Sequence, residues 1–315
     1  MKRRLPPGVW LALRLLAGIV LLVILLHSLN LPRVIGQLHH VDWRWLCVGF
    51  ASLVAGILLS ALRWQIVLDL LGVQRSYGEL LLRYWSGSFY NAVLPGSIGG
   101  DVVRIGGLAT SGIPLATSML SVFVDRTLGL WVNILMGLLS SLWPHPAPYR
   151  GALGLLFGAI VAGGLLGVCL APMLWRYVPR RLQRVIDLAT LLRERWRWSV
   201  LGLAALFQVC VVLHAYAIGM ALHTPVSMRY WSLYMPAVVL ATLLPISLNG
   251  IGIREGTLVV LLAGIGVSGE TAALIGVLIY VTSVLSTLPG GLVPVNIDPR
   301  PAPNDRRQRN ADLQP

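Results

Sequence analysis

Six ionisable side chains stand in or beside stretches that are otherwise apolar: Asp101, Arg104, Asp125, Arg126, Arg254 and Glu255. If those stretches lie in a bilayer, each charge costs roughly 2.5–3.5 kcal/mol at a helix centre, and six left unpaired would cost on the order of 15–20 kcal/mol. That exceeds the net stability of a typical domain. The groups must be paired, hydrated or turned to a cavity. Asp101 and Arg104 are three residues apart and can share a helix face. Asp125 and Arg126 are adjacent, cannot face one way, and each needs a partner elsewhere. Two chemistries fit. The charges can be structural ion pairs that glue helices together. Alternatively, the arginines hold an anionic headgroup, because a guanidinium meets phosphate through two parallel hydrogen bonds. Asp101, Asp125 and Glu255 would then keep the arginines in register or couple protons.

Four of these charges adjoin two backbone breaks. The first runs Asn91-Ala92-Val93-Leu94-Pro95-Gly96-Ser97-Ile98-Gly99-Gly100-Asp101, and the second Leu244-Pro245-Ile246-Ser247-Leu248-Asn249-Gly250-Ile251-Gly252-Ile253-Arg254. Pro95, Gly96, Gly99 and Gly100 break any helix in the first, and Pro245, Gly250 and Gly252 in the second. Helix N-termini restarting after such breaks present free backbone N–H groups to an anion. Asn91, Ser97, Ser247 and Asn249 would line the same place as neutral hydrogen-bonding groups. Leu-Pro-x-Ser-x-x-Gly-x-x-x-Arg occurs at both breaks, 150 positions apart. Paired Gly/Pro-interrupted segments of this kind point to an inverted repeat and to a transporter's binding site. Ordinary kinked helices are the competing reading.

The elements that must position these residues follow from composition. Only 12% of the 315 residues are charged and 56% are hydrophobic, with a mean hydropathy of +0.76. A soluble domain carries about 25% charged residues, so this chain cannot cover a globular surface with polar groups. A soluble enzyme or nucleic-acid binder is excluded for the chain as a whole. Apolar runs of about 20 residues suit a bilayer instead. Full spans are expected near 10–29 (a retained signal-anchor helix), 45–62, 115–142, 151–170, 200–222 and 271–288. Arg63-Trp64 is expected to end the second at the interface. The arms of the breaks, around 80–110 and 233–268, are too short to cross and are expected to form re-entrant hairpins. The fold class is thus all-α integral membrane, with about eight segments: six full spans and two hairpins.

Residues 1–295 are read as one polytopic domain and 296–315 as a disordered cytoplasmic tail. Within 173–198 lie seven arginines (176, 180, 181, 184, 193, 195 and 197) beside an apolar side. This is expected to be an amphipathic helix on an anionic membrane surface, or a topology signal alone. Basic residues follow the positive-inside rule. Seventeen fall on one side and four (Arg33, Arg44, Arg150, Arg229) on the other if both termini and 173–198 are cytoplasmic. The net charge of +13 is thereby explained without nucleic acid.

Other chemistry has little basis. Gly250-x-Gly252 lacks the third glycine of a dinucleotide fingerprint, since Glu255 occupies it. The histidines and the three cysteines (Cys47, Cys169, Cys210) have no metal-ligand or redox spacing. His214 is read as a hydrogen-bonded core histidine rather than a proton relay. No metal, cofactor or enzymatic activity is expected. Gly154, Gly158, Ala162, Gly163 and Gly167 have small-xxx-small spacing that suits tight helix packing.

Through Asn91-x-x-Leu-Pro-Gly-x-x-Gly-Gly-Asp-x-x-Arg104, Val124-Asp125-Arg126 and Leu-Pro-x-Ser-x-x-Gly-x-Gly-x-Arg-Glu255, the chain resembles the transmembrane region of lysylphosphatidylglycerol synthases, also called the flippase-like or UPF0104 family. The resemblance covers about residues 10–295. Family members often carry Glu-Arg where this chain has Asp125-Arg126. The resemblance implies the lipid-translocating half of such a synthase, without its C-terminal acyltransferase domain, or a stand-alone relative. The expected function is translocation or binding of an anionic lipid (phospholipid, glycolipid or polyprenyl-phosphate type) across the cytoplasmic membrane, with Arg126 and Arg254 acting as charges in transport. The alternative is a non-transporting scaffold or accessory subunit for a lipid-modifying enzyme or glycosyltransferase. A lipid-modifying enzyme or a second copy of the chain is therefore a candidate partner.

Overall fold

The computed structural model describes residues 36, 40–93, 99–144, 146–175, 196–244 and 249–293. Among them, the chain is helical and has no strand. In order the helices are α1 (Trp43–Leu70), α2 (Tyr77–Val93), α3 (Gly99–Ala109), α4 (Leu115–Leu142), α5 (Arg150–Trp175), α6 (Trp196–Ala221), α7 (Met228–Leu243), α8 (Ile253–Ala263) and α9 (Gly269–Thr287), followed by a 3-10 turn at Leu288–Leu292. Five stretches are long and apolar enough to cross a membrane: Trp43–Leu70, Leu115–Leu142, Arg150–Gly167, Trp198–Ala221 and Gly269–Leu292. This is a multi-pass helical membrane protein. The expected span at 10–29, most of the basic segment 173–198 and the tail 296–315 lie outside the described residues, as do Pro95, Gly96, Ser97, Pro245 and Ser247.

One expected boundary is overturned. Arg63-Trp64 does not end a span: α1 continues to Leu70. Its end is a glycine stop. Gly72 takes φ +76°, Gly72 N–H donates to Asp69 O at 3.0 Å, and Val73 N–H donates to Leu68 O at 2.9 Å. That pair of bonds consumes carbonyls the helix end would otherwise orphan. Because the stop comes seven residues after Arg63, the arginine is carried into the interior, where it is only 4% exposed.

α1 and α6 form an antiparallel pair. Trp45 packs edge-on against Tyr216. A Cβ on Gly49 would meet the His214 ring, and one on Gly56 the Phe207 ring, each at 3.3 Å. Glycines on this face let the two backbones close up, as in many membrane helix pairs. The main apolar core gathers α6, α7, α8 and α9 around Ile218, Trp231, Tyr234, Leu258 and Ile275. A second, smaller core packs Trp64, Leu68, Leu80, Leu108 and Val122 under the charged residues of α1–α4. In α5 the close contacts are made at Gly154, where a Cβ would meet Ser141 Oγ at 2.8 Å, and at Gly164, which lies against Trp131. Gly163 and Gly167 face open space, and Gly158 only reaches Leu138 at 3.9 Å. Of the four glycines in the small-residue spacing, Gly154 alone makes a close contact.

The helices are punctuated twice in the same way. A long helix (α1 or α6) leads into a shorter arm (α2 or α7), then a break, then an 11-residue arm (α3 or α8), then another long helix (α4 or α9). The breaks differ in length. Residues 94–98 separate α2 from α3, whereas 244–252 separate α7 from α8. Arg104 therefore sits in the middle of its short helix, while Arg254 is the second residue of its own. Equal spacing in sequence does not become equal position in the fold.

Candidate functional site

The first break brings α2 and α3 together through two glycines. A Cβ on Gly100 would land on the carbonyl of Gly87. A Cβ on Gly87 would lie 2.7 Å from Arg104 Cγ. With both side chains absent, the arms touch along their backbones and the Arg104 stem threads between them. Asn91 secures the join, its Oδ1 accepting from the Gly100 N–H at 2.8 Å.

Arg104 then reaches α4, where its Nη2 donates to Asp125 Oδ2 at 2.9 Å. From the other side Arg63 Nε donates to Asp125 Oδ1 at 2.7 Å. Asp125 is 1% exposed, so one buried carboxylate is clamped by two buried guanidiniums. Aromatic faces flank Arg104, with the ring centroids of Trp64 and Tyr84 at 4.1 and 4.3 Å. Such faces stabilise a desolvated cation. Trp64 is itself held by its indole N–H, which donates to Ser121 Oγ at 3.2 Å.

The adjacent Arg126 points elsewhere, as neighbouring residues on a helix must. Its Nε and Nη2 donate to Asp101 Oδ1 at 3.1 and 2.9 Å. Arg104 Nη1 also approaches Asp101, at 4.0 Å. The result is a string of alternating charge, Arg63–Asp125–Arg104–Asp101–Arg126, with one net positive charge. It grades from buried to open: the Arg126 side chain is 45% exposed.

This string borders a cavity of about 480 Å³ among α1, α2, α3, α4, α6 and α7. Asn91, Arg104, Asp125 and Arg126 line it, and so do Arg63, Asn133 and Gln208. Four buried polar atoms on this lining have no partner among the described residues: Arg63 Nη1, Arg104 Nε, Asn133 Oδ1 and Gln208 Oε1. Three of those residues escape a reading of the sequence. Arg63 looks like an interface anchor. Asn133 and Gln208 are single polar residues inside apolar runs, the same signal that exposes Asp125.

Residues at the second break are placed differently. Asn249, Arg254 and Glu255 are not among the residues that line the cavity. Glu255 is not the partner of Arg254. Its Oε2 accepts from the Gly252 N–H at 2.6 Å, capping the first turn of its own helix. Arg254 instead donates from Nη2 to Asn249 O at 3.3 Å and lies over the Tyr280 ring at 5.2 Å. The expectation of backbone N–H groups waiting for an anion also changes. The Gly252 N–H is taken by Glu255 and the Gly100 N–H by Asn91. Gly250 and Gly252 both adopt positive φ, +75° and +82°, which explains two glycines there. His214 is a core residue as expected, 2% exposed with Nε2 2.8 Å from Thr282 Oγ1.

The sequence matches the lysylphosphatidylglycerol synthase TM region over residues 9–290. The chain belongs to that family. No curated protein matches the chain significantly. The family assignment covers both breaks, the whole charge string and the nine helices of the described residues, since each falls within residues 9–290.

Proposed function

We propose that this family member binds a lipid with an anionic headgroup in the cavity beside α4 and carries it across the cytoplasmic membrane. Its role is carriage rather than catalysis, and both termini are cytoplasmic. The observation that carries this reading is the graded charge string. Asp125, with Arg63 and Arg104, is almost fully buried at the cavity's edge and committed to ion pairs. Arg126, at the open end, keeps nearly half its side chain accessible on the cavity lining while held by Asp101. An accessible guanidinium at membrane depth is a costly choice for packing and a suitable one for phosphate.

Two re-entrant hairpins in an inverted repeat would give such a cavity alternating access. The repeated helix punctuation and the antiparallel α1–α6 pair support that arrangement. Irregular backbone at membrane depth is tolerated where it is buried in protein or lines a wet cavity.

The test is lipid movement in vesicles containing the purified chain, read leaflet by leaflet. Arg126→Gln protein should accumulate normally and lose translocation, while Arg126→Lys should keep part of it. Wild-type rates with Arg126→Gln would overturn the proposal. The scaffold reading predicts the opposite pattern in cells: replacing the arginines of 176–197 abolishes activity while Arg126→Gln is harmless.

A further inference from the structure

α2, α8 and α9 are tied to one another on all three sides. α9 meets α8 where a Cβ on Gly276 would lie 3.0 Å from Glu255 Cγ and 3.1 Å from Glu255 Cα. One turn on, the Tyr280 ring carries the Arg254 guanidinium at 5.2 Å. From Gly276 to Ser286 the helix rises about 15 Å at 1.5 Å per residue. There α9 meets α2, and Trp85 Nε1 donates to the Ser286 carbonyl at 2.8 Å. The third side closes through the residues leading into α8, where Asn249 Nδ2 donates to the Ala92 carbonyl at 2.8 Å.

The joint with α2 is made by backbone. After α9 the chain turns through Leu288-Pro289-Gly290-Gly291-Leu292. A Cβ on Gly290 would land on the Trp85 carbonyl, and one on Gly291 would meet the Phe89 ring at 2.9–3.1 Å. Trp85 and Gly87 are two residues apart, about 200° around an α-helix. Gly290 and Gly100, which lies against the Gly87 carbonyl, therefore press on α2 from nearly opposite faces. The helix so held is one wall of the polar cavity. Tyr84, Gly87, Ser88 and Asn91 line it, while Leu130, Gln208 and Val239 face them from α4, α6 and α7. None of the described residues of α8 or α9 belongs to that lining. These two helices stand behind the wall.

We infer that α2, α8 and α9 form one rigid brace, and that Gly290 is a positioning residue that fixes the α2 wall of the cavity from behind. The second break then acts on the cavity without touching it: a displacement of α8 travels along α9 and reaches the wall at Trp85. The brace itself is independent of what the cavity holds, and only its effect on carriage rests on the proposed function.

The test uses the full-length chain in vesicles, with Cys47, Cys169 and Cys210 replaced by alanine. A water-soluble maleimide reads the α2 wall through Ser88→Cys. Adding Gly290→Val should raise the labelling rate at least about fivefold, as expected of a joint opened by overpacking. Gly163→Val, at a glycine facing open space, should leave the rate unchanged. Gly291→Ala should raise it as well, and Phe89→Leu should cancel that rise, because the obstacle there is a side chain. Equal rates in Gly290→Val and Gly163→Val would overturn the inference, and so would a Gly291→Ala rise that Phe89→Leu does not reverse.

Lipid movement supplies the second arm. A short bis-thiosulfonate crosslink between Phe89→Cys and Gly291→Cys lies within the brace and should leave the rate of that protein unchanged. A crosslink between Ser88→Cys and Val239→Cys spans the cavity and should stop it. Arrest by the first crosslink would show that α2 moves against α9 and would overturn the brace. If the uncrosslinked proteins move no lipid, the carriage reading fails instead, and the maleimide rates still decide for or against the brace.

Discussion

Asn249 donates its side-chain amide to the backbone carbonyl of Ala92 at 2.8 Å, tying the rim of one break to the rim of the other across 157 residues of chain. Asn249 sits in the left-handed region at φ 51°, where asparagine is among the few tolerated side chains besides glycine. Both properties can be separated. Asn249→Gly keeps the backbone conformation and loses the bond, at a cost of about 1 kcal/mol. Asn249→Asp keeps the shape but sets a carboxylate oxygen against the Ala92 carbonyl, and should cost more. Unfolding of the purified protein in detergent reads both. Equal stability of wild type and Asn249→Asp would show that this tie contributes nothing.

Gly100 and Gly256 give a paired test of the first hairpin. A methyl at Gly100 collides with the Gly87 carbonyl, whereas one at Gly256 meets nothing within 4 Å. Gly100→Ala should therefore cost about 3 kcal/mol, near the upper end for overpacking. Gly256→Ala, inside α8, should be neutral or stabilising by about 0.5–1 kcal/mol. Thermal unfolding of the two variants side by side checks the sign of each.

How far the sequence reveals this fold depends on what each signal measures. Leu115–Leu142 is predicted to the residue, because an apolar run between Pro114 and Pro144 has unambiguous ends. Arg63 is misread, because a charge at the edge of an apolar run looks the same whether it snorkels to water or finds a buried acid. Asp125 being adjacent to Arg126 correctly implies separate partners, and the structure supplies Arg63 and Arg104 for one and Asp101 for the other. The matched arginines 104 and 254 suggest equivalent sites. The second break's extra length puts them at different helix positions, and residue spacing alone cannot report that.

Asp125 should behave as a structural counter-ion. Removing it leaves Arg63 and Arg104, 4% and 3% exposed, facing each other without the carboxylate that bridges them. Breaking a buried pair in this way costs about 3–5 kcal/mol. Asp125→Ala protein should fail to accumulate in the membrane. The triple variant Arg63→Met, Arg104→Met, Asp125→Leu removes all three charges and should recover much of that loss, as apolar replacements of buried ion triads do. Immunodetection in membrane fractions distinguishes the two. Normal accumulation of Asp125→Ala would show that the clamp is dispensable for folding.

Arg254 and Glu255 are neighbours with separate duties, and a double-mutant cycle exposes this. Glu255 caps α8 through the Gly252 N–H. Glu255→Gln retains an oxygen at that point and should cost well under 1 kcal/mol, whereas Glu255→Ala removes the cap at about 0.5–2 kcal/mol. Arg254 leans on the Asn249 carbonyl and the Tyr280 ring. Arg254→Met keeps the apolar stem and loses both contacts, so it should cost about 1–2 kcal/mol. Combined with Glu255→Gln, the coupling should stay at about 1 kcal/mol, the charge attraction of neighbours that make no contact ion pair. A coupling of several kcal/mol would mean that the two side chains form the ion pair their order in the chain suggests, and that the capping geometry of Glu255 is secondary.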